Sequence, residues 1–150
     1  MDKVDRIILA ELTKDARATL KDLAKACKLS NVAVHQRLKK LEENKVIKGY
    51  QIQLDYQALG YSTLAYIGVF LERAGLYREV LDKLKKVPEV LECNFTTGNY
   101  SLLVKIICKD NKDLMDVLSE KIQSIKGVAR TETFVILENG INRGLALEKI

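Results

Sequence analysis

Two short segments, "KVPEV" (86–90) and "SIKGV" (124–128), each place a Val or Ile three residues ahead of a Val, and they lie 38 positions apart. A stretch with helical apolar spacing precedes each one. Leu76, Val80, Leu81, Leu84 and Val87 form the first stripe, and Leu114, Val117, Leu118, Ile122 and Ile125 the second. Both segments therefore sit where a helix hands over to a strand. Two copies are too few for a solenoid, so the echo predicts a duplicated split βαβ unit, the ferredoxin-like βαββαβ arrangement. Its strands fall near 62–72, 89–97, 100–108 and 127–137, and its helices near 76–87 and 112–125.

These strands are apolar on both faces. The first has Ala65, Ile67, Val69 and Leu71 on one side, with Leu64, Tyr66 and Phe70 on the other; the third sets Leu102, Val104 and Ile106 against Leu103 and Ile107. An antiparallel sheet with helices on one face and water on the other alternates apolar and polar residues instead. Two helices cover one face, so a second copy of the chain is expected to cover the other, since a large exposed apolar patch is a liability.

The first third has a different period. Val4, Ile7, Ile8 and Leu12 follow helical spacing, as do Leu20, Leu23, Ala24 and Cys27. Thr19 with Asp22 three residues on resembles a capping box. After the turn "KLS", Ser30 suits the N-cap of a third helix whose stripe is Val34, Leu38 and Leu41. The alternation in "VIKGYQIQL" fits a short strand. The expected fold class is therefore α+β, an N-terminal winged helix-turn-helix followed by the ferredoxin-like domain. Residues 1–54 form the first domain, "DYQALGY" (55–61) the linker and 62–150 the second. The tail "ENGINRGLALEKI" fits either a final edge strand or an ordered arm.

Charge separates the two parts. Residues 1–50 carry 12 Lys or Arg against 7 Asp or Glu, and residues 51–150 carry 13 against 13, so the whole excess of +5 lies in the helical third. Such an asymmetry points to a polyanion-binding end, with double-stranded DNA the natural partner of a helix-turn-helix. Opposite the core stripe, the third helix presents Val32, Gln36 and Lys39, flanked by His35 and Lys40, with Arg37 nearer the core edge but also counted among the expected DNA contacts. Gln36 can pair with adenine, Asn31 can reach a base or a phosphate, and Val32 can meet a thymine methyl. Lys39 and Lys40 suit phosphates, and the helix N-terminus at Ser30 offers free N–H groups to another. His35 can touch a phosphate or a base, and Arg17 can approach a phosphate or close a local salt bridge.

Other chemistries find little support. Cys27, Cys93 and Cys108 are far apart among apolar neighbours, and with a single histidine, His35, no metal spacing or cofactor motif emerges. The longest apolar run, Leu64–Leu71, is far short of the roughly 20 residues of a membrane span. The acidic start "MDKVDRII" is unlike a signal peptide, so the expected location is cytoplasmic, with no membrane partner.

The stretch "VDRIILAELTKDARATLKDLAKACKLSNVAVHQRLKKLEENKVIKGY" resembles the DNA-binding domain of the Lrp/AsnC (leucine-responsive, or feast/famine) transcription regulators. The resemblance includes "DAR" at Asp15–Arg17, Leu23–Ala24, "LS" before the third helix and Arg37 to Glu42 as R-x-x-x-L-E. "PEVLECNFTTGNYSLLVKI" and "SIKGVARTETFVIL" resemble the family's ligand-sensing domain. The resemblance implies a sequence-specific DNA-binding regulator that is not an enzyme. It also implies a homodimer that often assembles into tetramers or octamers, and an amino-acid effector bound between sensing domains. A turn commonly reading Gly-Asp-x-Asp helps form that pocket. Here it is Gly98-Asn99-Tyr100-Ser101, without either acid, which leaves a different effector, weak binding or none. The implied effector region is Gly98, Asn99, Tyr100 and Ser101 with Thr131 and Thr133.

Two other readings remain open to test. Some haem-pathway decarboxylases look similar in both domains, although the sensing half here contains no histidine. A small-molecule sensor whose helix-turn-helix serves protein contacts is the other.

Overall fold

The computed structural model describes residues 1–147 and divides into two compact units, one formed by residues 1–53 with the segment from Ile141, the other by residues 54–140. The sequence reading carried the tail with the second domain, whereas the segment from Ile141 groups with the first. Its described part forms no strand; a Cβ added at Gly144 would lie 3.5 Å from Thr13 Cγ2.

In the first unit, α1 (Lys3–Lys14), α2 (Leu20–Cys27) and α3 (Asn31–Glu43) enclose Ile8, Leu23, Ala24, Val34 and Leu41, with Leu38, Cys27 and Ile47 packed against them. Burial pushes the Cys27 thiol above its ordinary pKa, in keeping with a core role. Local signals fix each start. Asp2 caps α1 by accepting from the N–H groups of Val4 and Asp5, and Asp5 returns a bond to the Asp2 N–H. Thr19 and Asp22 form the expected box on α2, and Ser30 Oγ accepts from Ala33 N–H on α3. Lys28 ends α2 in the left-handed region at φ 54°, and that reversal makes the tight turn into α3.

The wing strand does not form. Residues 46–54 carry no ladder, and Val46, Tyr50, Ile52 and Leu54 are exposed. Alternation alone does not make a strand: its backbone groups need a neighbour, and this unit has no other strand among its described residues. Tyr50 instead anchors the segment by donating its hydroxyl to Glu42 Oε1 at 3.0 Å.

The second unit contains β1 (Thr63–Leu71), α4 (Tyr77–Leu84), β2 (Val90–Phe95), β3 (Leu102–Cys108), α5 (Asn111–Asp116) and β4 (Val128–Val135). The sheet runs β2-β3-β1-β4, antiparallel throughout, which is the expected ferredoxin-like order. The repeat seen in the sequence reappears in the backbone. Val87 N–H donates to Leu84 O and Val90 N–H to Val87 O, both at 3.0 Å; Ile125 N–H donates to Ile122 O at 3.1 Å and Val128 N–H to Ile125 O at 3.0 Å. The second copy needs Gly127, whose φ is +100° and whose missing Cβ leaves room for Leu76 Cδ1 and Val80 Cγ2.

Beyond α5 the helix widens into a π-type turn over Val117–Ile122, where Gln123 N–H reaches Leu118 O at 2.8 Å. The core is the helix-facing side of the sheet: Ala65, Ile67, Val69, Leu102, Val104 and Ile106 close on Val80, Leu84, Leu114, Val117 and Ile122. Each fully buried Leu or Ile there contributes about 1.5–3 kcal/mol.

The opposite face carries Leu64, Tyr66, Gly68 and Phe70 on β1, Leu103, Lys105 and Ile107 on β3, and Arg130, Glu132 and Phe134 on β4. No helix of the unit packs on it. The both-faces-apolar pattern is thus real, and on this second face, which no helix of the unit covers, Gly68 and Ile107 are buried, Leu64, Tyr66, Phe70 and Leu103 half-buried and Phe134 exposed.

Candidate nucleic-acid interface and effector region

The Ser30 cap starts α3 so that Val34 and Leu41 point inward, which leaves Asn31, Val32, His35, Gln36, Lys39 and Lys40 exposed. Val32 is 67% exposed, an unusual cost for an apolar side chain in water and an asset against a thymine methyl. Lys39 lies 3.8 Å from Glu43 on its own helix, a loose surface pair of small energy. Arg17 is exposed on the turn before α2, and its N–H donates to Asp15 Oδ1 at 2.8 Å. Five of these residues, Asn31, Val32, His35, Gln36 and Lys39, thus share one free surface with the helix N-terminus.

Arg37 is placed differently. Its Nη1 lies 2.7 Å from Asp2 Oδ2 and 2.8 Å from Asp5 Oδ1, so it ties α3 to the start of α1. The bonds to Asp5 and Asp2 raise the guanidinium pKa. Asp2 is lowered, first by the Asp5 N–H and next by Arg37. Beside this pair runs a groove of about 580 Å³, lined in part by Asp2, Asp5, Gln36, Arg37 and Lys40. Sequence reasoning missed both carboxylates. Their Asp-x-x-Asp spacing is a readable cap signal, but a partner 32 or 35 residues away leaves no local trace.

In the second unit, the turn 98–101 is latched by backbone bonds. Ser101 N–H donates to Val69 O at 3.0 Å, Thr96 N–H to Ser101 O at 3.1 Å, and the Thr96 hydroxyl to Tyr100 O. Gly98 and Asn99 are exposed at its tip, and a Cβ at Gly98 would meet open space. Tyr100 folds flat over Gly68, where a Cβ would come within 2.4 Å of its ring. The ring contacts Phe70 edge-on at 5.2 Å and lies 6.1 Å from Phe134.

The Tyr100 hydroxyl donates to Glu132 Oε2 at 2.8 Å, and Arg130 Nη1 lies 2.9 Å from Glu132 Oε1 while stacking 3.6 Å from the Phe70 ring. These bonds, that from Tyr100 first, hold the Glu132 carboxyl below its ordinary pKa. The acid nearest the turn is thus Glu132 on β4, bonded to Tyr100.

Thr131 and Thr133 pair with Val69 and Ile67, so they point to the helix side, where Gln123 Nε2 donates to Thr131 Oγ1 at 2.8 Å. Within one chain Tyr100 therefore lies on the opposite face of the sheet from Thr131 and Thr133, while Gly98 and Asn99 stay at the exposed tip of the turn. Among the described residues no group of His, Cys, Asp and Glu could hold a metal ion, and no helix is long and apolar enough to cross a membrane.

Comparison with known proteins agrees with both units. Residues 1–42 match the AsnC-type helix-turn-helix domain, and residues 64–145 the Lrp/AsnC ligand binding domain. The chain is 37% identical to the regulatory protein AsnC of Haemophilus influenzae over 145 residues, 97% of each chain. It is 40% identical to the HTH-type transcriptional regulator FL11 of Pyrococcus horikoshii over 138 residues, 92% of this chain and 90% of that one.

Among solved structures, that of AsnC from E. coli superposes with a TM-score of 0.92 at 36% identity, covering 97% of both chains. The feast or famine regulatory protein from M. tuberculosis, complexed with L-methionine, superposes with a TM-score of 0.87 at 29% identity, covering 94% of this chain and 95% of that one. These relatives are regulators, which sets aside the decarboxylase reading. The chain belongs to the Lrp/AsnC family and is a helix-turn-helix transcriptional regulator, not an enzyme.

Proposed function

We propose that this regulator reads a specific duplex through the exposed face of α3. Gln36, Asn31 and Val32 contact base edges; Lys39, Lys40, Arg17 and the N–H groups at Ser30 contact phosphates; His35 lies at the rim between them. The observation that carries this reading is the concentration of exposed, groove-suited side chains on α3, within residues 1–50, where a net charge of +5 lies. Two copies associate through the uncovered sheet face, and larger assemblies build on that dimer. A two-fold pair of α3 helices then reads half-sites about one helical turn, roughly 34–36 Å, apart. Domain limits of 1–54, 55–61 and 62–150 serve this scheme, with the segment from Ile141 returning to the first unit. The protein works in the cytoplasm, where its DNA is.

An amino acid or a related small molecule modulates the assembly. The support is the L-methionine held by the M. tuberculosis relative. The region is the turn Gly98, Asn99, Tyr100 and Ser101 of one copy with Thr131 and Thr133 of another, since within one chain Tyr100 lies on the opposite face of the sheet from the two threonines.

Binding to random duplex DNA tests the first claim. The affinity should fall steeply with added salt, and Lys39→Ala should lower the slope of log K against log salt by about 0.9, the share of one phosphate contact. Salt-independent binding, or none, would return the chain to a sensor that uses α3 for protein contacts.

A further inference from the structure

Arg37 differs from Lys39 and Lys40 in where its charge goes. The two carboxylates it meets are already fixed by α1. Asp2 Oδ1 accepts from the N–H groups of Val4 and Asp5, both at 2.9 Å, while Oδ2 faces Arg37. Asp5 Oδ2 accepts from the Asp2 N–H at 3.0 Å, while Oδ1 faces Arg37. Each acid thus places one oxygen on the backbone and the other on the guanidinium. Arg37 meets a preorganised double acceptor rather than two loose surface chains, so less side-chain entropy is lost per bond. The side chains are 33% exposed at Arg37 and 16% at Asp5, which separates this pair from the open lysines of the same helix. To reach a phosphate, Arg37 would have to give up two charge-assisted bonds and leave Asp5 half-buried and unpaired, a costly exchange.

We infer that Arg37 is a positioning residue of the recognition helix: clamped by Asp2 and Asp5, it fixes α3 on α1 at the level of Gln36 and contributes no phosphate contact. The inference rests on the DNA-reading role of α3 proposed above. It reassigns Arg37 from contact to clamp, and it explains why acidic residues stand at the start of a basic unit. Gln36 adjoins the clamp in sequence and lines the same groove, so a shift of α3 reaches the base it reads.

The test uses the full chain with two probes, a random-sequence duplex and a randomised duplex pool, and urea titration to verify folding. Arg37→Gln should leave the salt slope on random duplex at the wild-type value. In the pool, both Arg37→Gln and Asp5→Asn should relax the preference at the base read by Gln36 by about fivefold or more, the scale of one bidentate base contact. Both bonds come from the one nitrogen Nη1, so Arg37→Lys, which keeps a charged nitrogen with several N–H donors, should restore part of it. A slope lowered by about 0.9 in Arg37→Gln overturns the inference, because Arg37 is then a phosphate contact. So does a wild-type base preference in Asp5→Asn.

If Arg37→Gln does not fold, Arg37→Lys and Asp5→Asn decide the matter by the same preference. Failure of the underlying reading is separate, since it shows in the wild-type protein before any variant. A wild type without salt-sensitive DNA binding removes the DNA role and the clamp's purpose with it. A wild type that binds without base preference leaves the slope comparison to decide.

Discussion

Lys28 closes α2 at φ 54°, a backbone region that costs a side-chain-bearing residue about 1–2 kcal/mol. Glycine there would remove that cost, offset in part by its greater freedom in the unfolded chain. Lys28→Gly should therefore raise stability by about 0.5–1 kcal/mol, read as a higher urea midpoint with unchanged slope; a lowered midpoint would contradict the backbone argument. At the residue scale, legibility followed the range of the interaction. The exposed set on α3 was readable because helical period and one cap fix which side chains face out. The clamp on Arg37 was not, because its partners are brought close only by the packing of α1 on α3. Tyr100 shows the same limit. The turn holding it could be located from the sequence, but its seat on Gly68 and its bond to Glu132 depend on strand register.

Elements with self-contained signals were legible almost to the residue. The Thr19–Asp22 box, the Ser30 cap and the two helix-to-strand handovers all appear where the sequence placed them. The wing strand failed for the converse reason, since its signal was local and its stabilisation is not. The caps also make acid behaviour predictable. Hydrogen bonds from the Thr19 hydroxyl and N–H hold the Asp22 carboxyl below its ordinary value of 3.8.

A group whose pKa is lower in the folded chain than in the unfolded one adds stability that is present above the unfolded value. That stability is lost as pH falls through the folded value. The urea midpoint should therefore drop as the pH falls from just above 3.8 to below it, and Asp22→Asn should flatten the drop while lowering stability near neutrality. An equally steep drop in the variant would show that other carboxylates dominate.

For the whole molecule, the most consequential surface is the sheet face that no helix covers, where Tyr66, Phe70, Tyr100 and Phe134 surround the Arg130–Glu132 pair. The sequence foretold an apolar second face; it could not foretell that an ion pair lies on its edge strand β4 with a folded tyrosine against it, because those depend on which residues of β1 and β4 meet. The proposed dimer buries this face, so Phe134→Glu places a charge in the contact. Sedimentation should then show mass moving toward the 17.0 kDa of a single chain, while Val32→Glu, an equally drastic change on α3, leaves assembly intact. A fully assembled Phe134→Glu would move the dimer contact elsewhere.

The central claim is direct reading of bases by α3. Selection of bound sequences from a randomised duplex pool, run side by side for the wild type and Gln36→Ala, addresses it most directly. The account predicts an enriched pseudo-palindrome whose preference relaxes at one symmetric pair of positions in the variant. Enrichment that is unchanged in Gln36→Ala, or salt-sensitive binding without enrichment, would contradict it.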